Sequence, residues 1–428
     1  MKILVVGSGG REHALCWSLQ KNSEHTIYCA PGSDRIAQVA RCVALNATDI
    51  KALARFAEDE RIELTVAGGE APLAAGLADG FAAAGLAVAG PKAAAARLES
   101  SKAFAKDFMA RHRIPTARFR VADSADEARA VLRGGEFGAR DAPAVVKADG
   151  LAAGKGVVVA RDRDEAETAI NELMEQGGVG ADAARRVVIE EALTGREASL
   201  LFWTDGKDYL LMPPARDHKR VGERDAGPNT GGMGAITSSD VLDAETQARV
   251  VREIVEPTLA GLAADRLDFR GVIFVGLMLT DEGARVLEYN VRFGDPEAQA
   301  IIVRLRSDLA AVFDATAHGR LGGARAEWSD ESSACVVLAS RGYPEKPETG
   351  DPIEGLDAAA RDPRVEIFHA GTRRGEDGAW RTAGGRVLGV TSTGATLGEA
   401  LARCYGAASR IRWVGMHYRR DIGRFGKS

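Results

Sequence analysis

Short apolar runs alternate with helix-length polar segments through the first hundred residues, and that rhythm leaves few folds open. The runs at 3–6, 26–29, 64–67 and 86–89 are each four residues long. They are too short for buried helices and suit strands covered on both faces. Between them, 14–20, 50–59 and about 72–84 repeat with a helical period. Regular β–α alternation predicts a doubly wound parallel sheet with helices on both faces. The first strand runs into Gly7-Ser-Gly-Gly10-Arg-Glu12, which opens a helix. Amides at a helix N-terminus attract phosphate, and glycines let a ligand come close. Glu12 stands where Gly-x-Gly-x-x-Gly has its third glycine, which argues against a dinucleotide. A small phosphorylated ligand held by Gly9, Gly10 and Arg11 fits better, and a bare tight turn fits equally.

From Ser101 the rhythm changes. A helix over about 101–112 is broken by Ile114-Pro115-Thr116, and Ser124-Ala-Asp-Glu127 is a capping box for the next one. Residues 133–143 read as a loop. Short strands at 144–147 and 157–160 flank Lys147-Ala-Asp-Gly-Leu-Ala-Ala-Gly-Lys-Gly156, and a helix (164–175) and a strand (186–190) follow. The spacing from Gly150 to Gly154-Lys155 is one short of a Walker A loop, and Gly156 replaces its Ser or Thr. The expectation is a small α+β unit whose glycine loop joins antiparallel strands. That loop can fold over phosphates beside Lys147, or it is a plain flexible hairpin. Strands at 200–213 and 272–288, around a helix at 244–264, predict a larger antiparallel sheet. Strands at 334–339, 365–370 and 386–391 and a helix from Thr396 complete the chain. Its 428 residues divide into an expected N-terminal domain 1–101, a central unit 102–325 with a lid at about 120–190, and a small α+β domain 326–428.

Chemistry concentrates in Val286-Leu-Glu-Tyr-Asn-Val-Arg-Phe-Gly-Asp-Pro-Glu297. On a strand, Glu288, Asn290 and Arg292 project from one face. A carboxylate and an amide oxygen suit Mg²⁺, and a guanidinium can fork onto phosphate or carboxylate. Asp295 stands between a glycine and a proline at the strand end, where ligands sit in α/β sheets. A strand with one solvated face is the plainer alternative. Glu190-Glu191-Ala-Leu193 leads from a strand into a linker whose backbone can meet an adenine edge, with Glu197 in reach of ribose hydroxyls; a solvated acidic linker reads the same way. Asp217-His-Lys-Arg220 and Gly227-Pro-Asn-Thr-Gly-Gly-Met-Gly234 form an expected loop of some twenty residues without secondary structure, a length that points to function. His218 there carries no catalytic reading of its own, and a solvated side chain is the plain alternative.

A net charge of −5 with no dense basic run gives no reason to expect a nucleic-acid partner. Five scattered cysteines without a Cys-x-x-Cys pair speak against disulfides or zinc and for a reducing compartment. The opening apolar run is too short for a signal peptide, and no stretch approaches the ~20 apolar residues of a membrane span. The expected location is the cytoplasm.

In this order along one chain the motifs resemble the glycinamide ribonucleotide synthetases, ligases of the ATP-grasp superfamily. The resemblance rests on Gly-Ser-Gly-Gly-Arg-Glu-His-Ala at 7–14, Glu-Ala-Pro-Leu at 70–73, Glu-Ser-Ser-Lys102-Ala-Phe, the strings at 147–156, 217–220, 227–235 and 292–297, Phe368-His-Ala-Gly-Thr and Gly384-Gly-Arg-Val-Leu. It implies ATP-dependent joining of glycine to 5-phosphoribosylamine through a glycyl phosphate, with Mg²⁺ (or Mn²⁺), by a monomer in purine biosynthesis. Carried onto these positions, it puts Lys102, Lys147 and the loop with Gly154, Lys155 and Gly156 on ATP phosphates. Glu190, Glu191 and Leu193 meet the adenine, and Glu197 the ribose. Lys219 and Asn229 approach the terminal phosphates, and Glu288 and Asn290 hold the metal. Arg292 and Asp295 face the amino acid, Gly9 to Glu12 hold the sugar phosphate, and Asp217 and Gly294 are further substrate-binding positions. The chain departs from the family pattern at Gly69, Arg341 and Ala383 and over 413–418.

Overall fold

The computed structural model describes residues 1–151, 156–176 and 185–424. Strands Lys2–Gly7, Thr26–Pro31, Leu64–Ala67 and Val88–Ala89 form the expected parallel sheet with Lys2–Gly7 at its centre. A fifth strand, Arg41–Cys42, closes one edge beside Thr26–Pro31. Two exposed residues carry no apolar run, so the sequence gives this edge no signal. The helix expected over 72–84 is two, Glu70–Ala74 and Leu77–Ala83. Gly76 lies between them at φ +86°, a left-handed backbone that cannot continue a helix. The expected helix over 101–112 is Lys102–Arg111, preceded by a separate helix, Ala93–Ser100. Ser101 caps Lys102–Arg111, and Asp149 accepts hydrogen bonds from the Ala103 amide (3.1 Å) and the Ser101 hydroxyl (2.9 Å). The helix that starts with Lys102 is thereby fixed to the mouth of the glycine loop.

The lid is a four-stranded antiparallel sheet in the order Phe119–Ala122, Val187–Glu191, Ala144–Ala148, Val157–Ala160. Helices Ala125–Arg133 and Arg163–Ile170 cover it around a separate small core that includes Val146, Ile170 and Ile189. The apolar core of the lid is therefore separate from that of the main body, and polar contacts such as Lys147 to the Leu287 carbonyl join the two. Among the described residues the larger sheet has nine strands. Gly283–Asn290, Gly271–Thr280, Arg196–Thr204, Ala215–Asp217 and Gly234–Thr237 succeed one another across it. Gly234–Thr237 then pairs with Ser332–Ala339, which leads to Arg386–Gly394 and Val365–His369, so one sheet joins the central and C-terminal parts. The expected strand over 200–213 is Arg196–Thr204 turning back into Tyr209–Leu211. The helical run expected over 244–264 contains a widened turn, Val251–Val255, just ahead of Pro257. A proline lacks its N–H and crowds the carbonyl four residues back, and a wider turn relieves both.

Candidate active site

Three separate stretches meet at the end of strand Gly283–Asn290. In its ladder Glu288 faces Gly276 while Val286 faces Leu277, which leaves Leu287 as the extra residue of a β-bulge. The freed Leu287 carbonyl accepts a hydrogen bond from Lys147 Nζ of the lid at 3.0 Å. Past the bulge Tyr289 and Val291 are buried in the core, so Glu288 and Asn290 occupy the opposite face with Arg292 next. Gly276 makes room: a Cβ there would lie 3.3 Å from Glu288 Cγ. Burial works against the Glu288 charge, yet Lys219, Lys147 and Lys102 outweigh it and hold the carboxyl down near 2. A permanently ionised carboxylate with an amide oxygen two residues on is an oxygen donor pair that fits a hard divalent cation. The Asn290 oxygen accepts from Arg292 Nη2 at 3.2 Å.

The cations around Glu288 come from different elements. Lys102 Nζ donates to the Gly150 carbonyl (2.9 Å), at the start of the glycine loop. Lys147 Nζ lies 2.9 Å from one oxygen of the buried Glu190, whose other oxygen lies 2.8 Å from Lys106 Nζ. Glu190 is paired in the lid sheet on both sides, opposite Phe119 and Val145, and the Glu191 carboxylate takes the Arg118 amide (2.8 Å) and Nε (2.7 Å). Within 190–193 only Ala192 and Leu193 lie outside the ladder, at the crossover into Arg196–Thr204. Gly156 borders the lid strand Val157–Ala160, while Gly154 and Lys155 lie outside the described residues.

Lys219 Nζ stands 3.6 Å from Glu197 and 3.5 Å from Glu288. Burial opposes its charge, but Glu197, Glu288, Asp217 and Glu297 prevail and push the ammonium well above its usual range. Asp217 ends strand Ala215–Asp217, and burial raises its carboxyl to about 6 against the pull of Lys219. The loop that follows is not structureless as expected. His218 and Met233, Lys219 and Thr230, and Val221 and Pro228 are joined by backbone hydrogen bonds, and Asn229 bridges Arg220. His218 is not solvated either. It is 3% exposed, and its Nε2 accepts the Gly423 amide at 2.9 Å. The charged spacing suggested solvent because the C-terminal segment that covers it is remote in sequence.

The N-terminal turn abuts the same region. Glu12 caps its own helix, taking the Gly9 amide (2.6 Å) and Arg11 Nε (2.8 Å). A Cβ on Gly7 or Gly68 would collide with the Glu12 side chain, so a carboxylate fills the space that a third glycine leaves open in dinucleotide folds. Arg11 Nη1 and Arg292 Nη1 both donate to the Phe293 carbonyl (3.1 and 3.0 Å). Arg292 is further held by Glu99 (2.6 Å) and Glu70 (3.2 Å), and Glu99 also takes the Val291 amide. Asp295 pairs with Arg386 (3.1 Å) and Gln299 (2.7 Å). Arg386 in turn donates to the carbonyls of Asp295 and Gly231. Glu297 is buried, and its carboxylate lies over Gly294, where a Cβ would strike it. Burial, with Asp217 adding, raises Glu297 to about 8.

Glu99, Lys106, Glu297 and Arg386 are the neighbours that sequence reasoning missed. Glu297 closes the 292–297 string and Arg386 follows Gly384-Gly385, so both had a signal; Lys106 had none. Two of the departures are local. A Cβ on Gly69 would stand 3.0 Å from Arg11 Nη2, so this position borders the N-terminal turn, whereas Arg341 packs over Gly415 inside the divergent 413–418 stretch.

Family models for phosphoribosylglycinamide synthetase match residues 1–99 (N domain), 100–298 (ATP-grasp domain) and 333–425 (C domain). The chain belongs to the phosphoribosylglycinamide synthetase family. It is 48% identical to a phosphoribosylamine–glycine ligase of Xanthomonas axonopodis pv. citri over 99% of this chain and 97% of that one. The crystal structure of a phosphoribosylamine–glycine ligase from Thermotoga maritima superposes with a TM-score of 0.82 at 33% identity, covering 99% of this chain and 100% of that one. The biotin carboxylase domain of the Hydrogenobacter thermophilus 2-oxoglutarate carboxylase, solved with MgADP, shares the fold at TM-score 0.69 and 16% identity over 97% of this chain and 91% of that one. Among the described residues no helix is long and apolar enough to cross a membrane.

Proposed function

We infer that the chain joins glycine to 5-phosphoribosylamine with ATP, giving glycinamide ribonucleotide, ADP and phosphate in purine biosynthesis, as a monomer in the cytoplasm. The observation that supports this most is the convergence of Lys102, Lys147 and Lys219 on Glu288, directly beside the Arg292–Asp295–Arg386 network. Such a set positions and neutralises phosphates, and it offers no covalent nucleophile.

ATP lies between lid and large sheet. Ala192 and Leu193 offer free backbone to the adenine beside Glu190 and Glu191, Glu197 takes the ribose, and Lys102, Lys147 and the loop through Gly154, Lys155 and Gly156 hold the phosphates. Glu288 and Asn290 are the oxygen donors for a divalent cation, Mg²⁺ or Mn²⁺, which supplies further charge neutralisation at those phosphates. Arg292, Asp295, Asp217 and Gly294 orient glycine so that its carboxylate attacks the γ-phosphorus while Lys219 and Asn229 neutralise the transferring group. The Gly10 and Arg11 amides and the Arg11 guanidinium hold the sugar phosphate, the Gly9 amide being taken by Glu12. The sugar amine then attacks the acyl carbon and phosphate leaves. Domain limits near 101 and 325, with a lid from about 120 to 190, belong to the same reading.

The test is ADP release by the purified protein with MgATP, glycine and freshly generated phosphoribosylamine, each omitted in turn. Release is expected only when all three are present. Turnover with another acid and none with glycine would sink the substrate assignment and leave the fold untouched.

A further inference from the structure

Behind Lys147 runs a chain of polar groups, buried except for the half-buried Thr116, in which Lys106 and Thr116 have no role in the proposed reaction. Lys106, 2% exposed, lies on the helix Lys102–Arg111, and its Nζ reaches Glu190 at 2.8 Å and the Thr116 hydroxyl at 2.7 Å. Thr116 donates onward to the Val286 carbonyl at 2.6 Å. Lys147 Nζ donates to the Leu287 carbonyl and stands 2.9 Å from the other Glu190 oxygen as an ion pair without hydrogen-bond geometry. Two adjacent carbonyls beside the bulge of the Glu288 strand therefore anchor two lysines that share one carboxylate. The carboxylate carries one negative charge and the lysines carry two positive ones, so the buried group has a surplus cation. That surplus faces Glu288 and Lys102 on the Lys147 side, because Lys106 lies on the far side of Glu190.

We propose that Lys106 is a positioning residue for the nucleotide: by neutralising Glu190 from behind, it leaves Lys147 a net cation free to transfer from the carboxylate to an ATP phosphate. Without Lys106 the pair Lys147–Glu190 is electrically complete. Pulling Lys147 onto a phosphate would then strand a buried carboxylate, a costly state. Burial drags the Lys106 ammonium down to about 8, with Glu190 working against it, so the pair holds the charge in place at neutral pH. The proposal rests on the placement of Lys147 at the ATP phosphates.

The experiment is calorimetric titration of the full chain with MgATP, alongside the KM for glycine. Lys106→Met is expected to weaken ATP at least about tenfold, equivalent to roughly 1.4 kcal/mol, while the glycine KM stays within about twofold. The double variant Lys106→Met/Glu190→Gln removes the stranded carboxylate and is expected to recover most of that affinity, which a merely structural lysine would not allow. A double variant no better than Lys106→Met, or equal losses for ATP and glycine, overturns the proposal. If Lys106→Met does not fold, Lys106→Gln, which keeps a polar head for Thr116 and Glu190 but no charge, takes its place: ATP weakened at least about tenfold with the glycine KM within about twofold supports the proposal, and unchanged ATP affinity overturns it. Wild-type protein that binds no ATP would overturn the functional reading itself.

Discussion

Replacing His218 with glutamine removes one titratable group while keeping a side-chain oxygen for the Gly423 amide. His218 is 3% exposed, and burial, reinforced by Arg419 and opposed in part by Asp225, holds its imidazole near 4. In the unfolded chain a histidine titrates at about 6.5. The folded value is depressed, so the contribution is fully present above about 6.5 and is lost as pH falls towards 4, where the unfolded state binds the proton first. Between pH 7.5 and pH 5.0 the unfolded imidazole gains nearly a full proton and the folded one almost none, which amounts to about 2 kcal/mol. The assay is urea unfolding of wild type and His218→Gln at both pH values. Wild type should lose about 2 kcal/mol more than the variant on acidification. The comparison cancels the contributions of every other group, including Asp217 and Glu297, whose raised values act in the opposite direction. Identical pH sensitivity in the two proteins would show that His218 does not stay neutral in the fold, and its burial beneath the C-terminal segment around Gly423 would be refuted with it.

Glu288→Ala should lower metal-dependent turnover roughly a hundredfold or more, because a charged oxygen donor is lost from the metal's ligand set; near-normal rates across a Mg²⁺ titration would refute the assignment. Arg11→Ala should raise the KM for phosphoribosylamine about tenfold or more, the worth of a charge-assisted contact, with little change for ATP. Equal changes for both substrates would place Arg11 elsewhere. Arg386→Met leaves the Asp295 carboxylate with Gln299 as its remaining hydrogen-bond partner. The glycine KM should then rise while ATP binding holds, and a change confined to ATP would count against the Asp295 network as the amino-acid seat.

The sequence foretold most where a local pattern decides the structure. Four-residue apolar runs announced the parallel sheet, and the 286–297 string put Glu288, Asn290 and Arg292 on one face, as the fold has them. It foretold less where distant contacts decide. Arg41–Cys42 exists as a strand only because Thr26–Pro31 offers it an edge, and His218 is buried only because Gly423 returns to it. Lys106 looks like one more charge on an amphipathic helix until Glu190, Thr116 and Val286 come together around it. The bulge at Leu287 was hidden for the same reason, since a register shift belongs to a pair of strands and not to one. Glu12 was legible as a departure from the dinucleotide pattern, but its role as its own helix cap depends on where the side chain turns, back onto the Gly9 amide.

The central claim is that ATP activates the glycine carboxylate before the sugar amine attacks. Turnover with glycine labelled in both carboxylate oxygens with ¹⁸O tests this directly, by mass analysis of the phosphate and of the amide product. The account predicts one ¹⁸O atom in each phosphate released and one retained in each glycinamide ribonucleotide. Unlabelled phosphate formed alongside labelled product would contradict it.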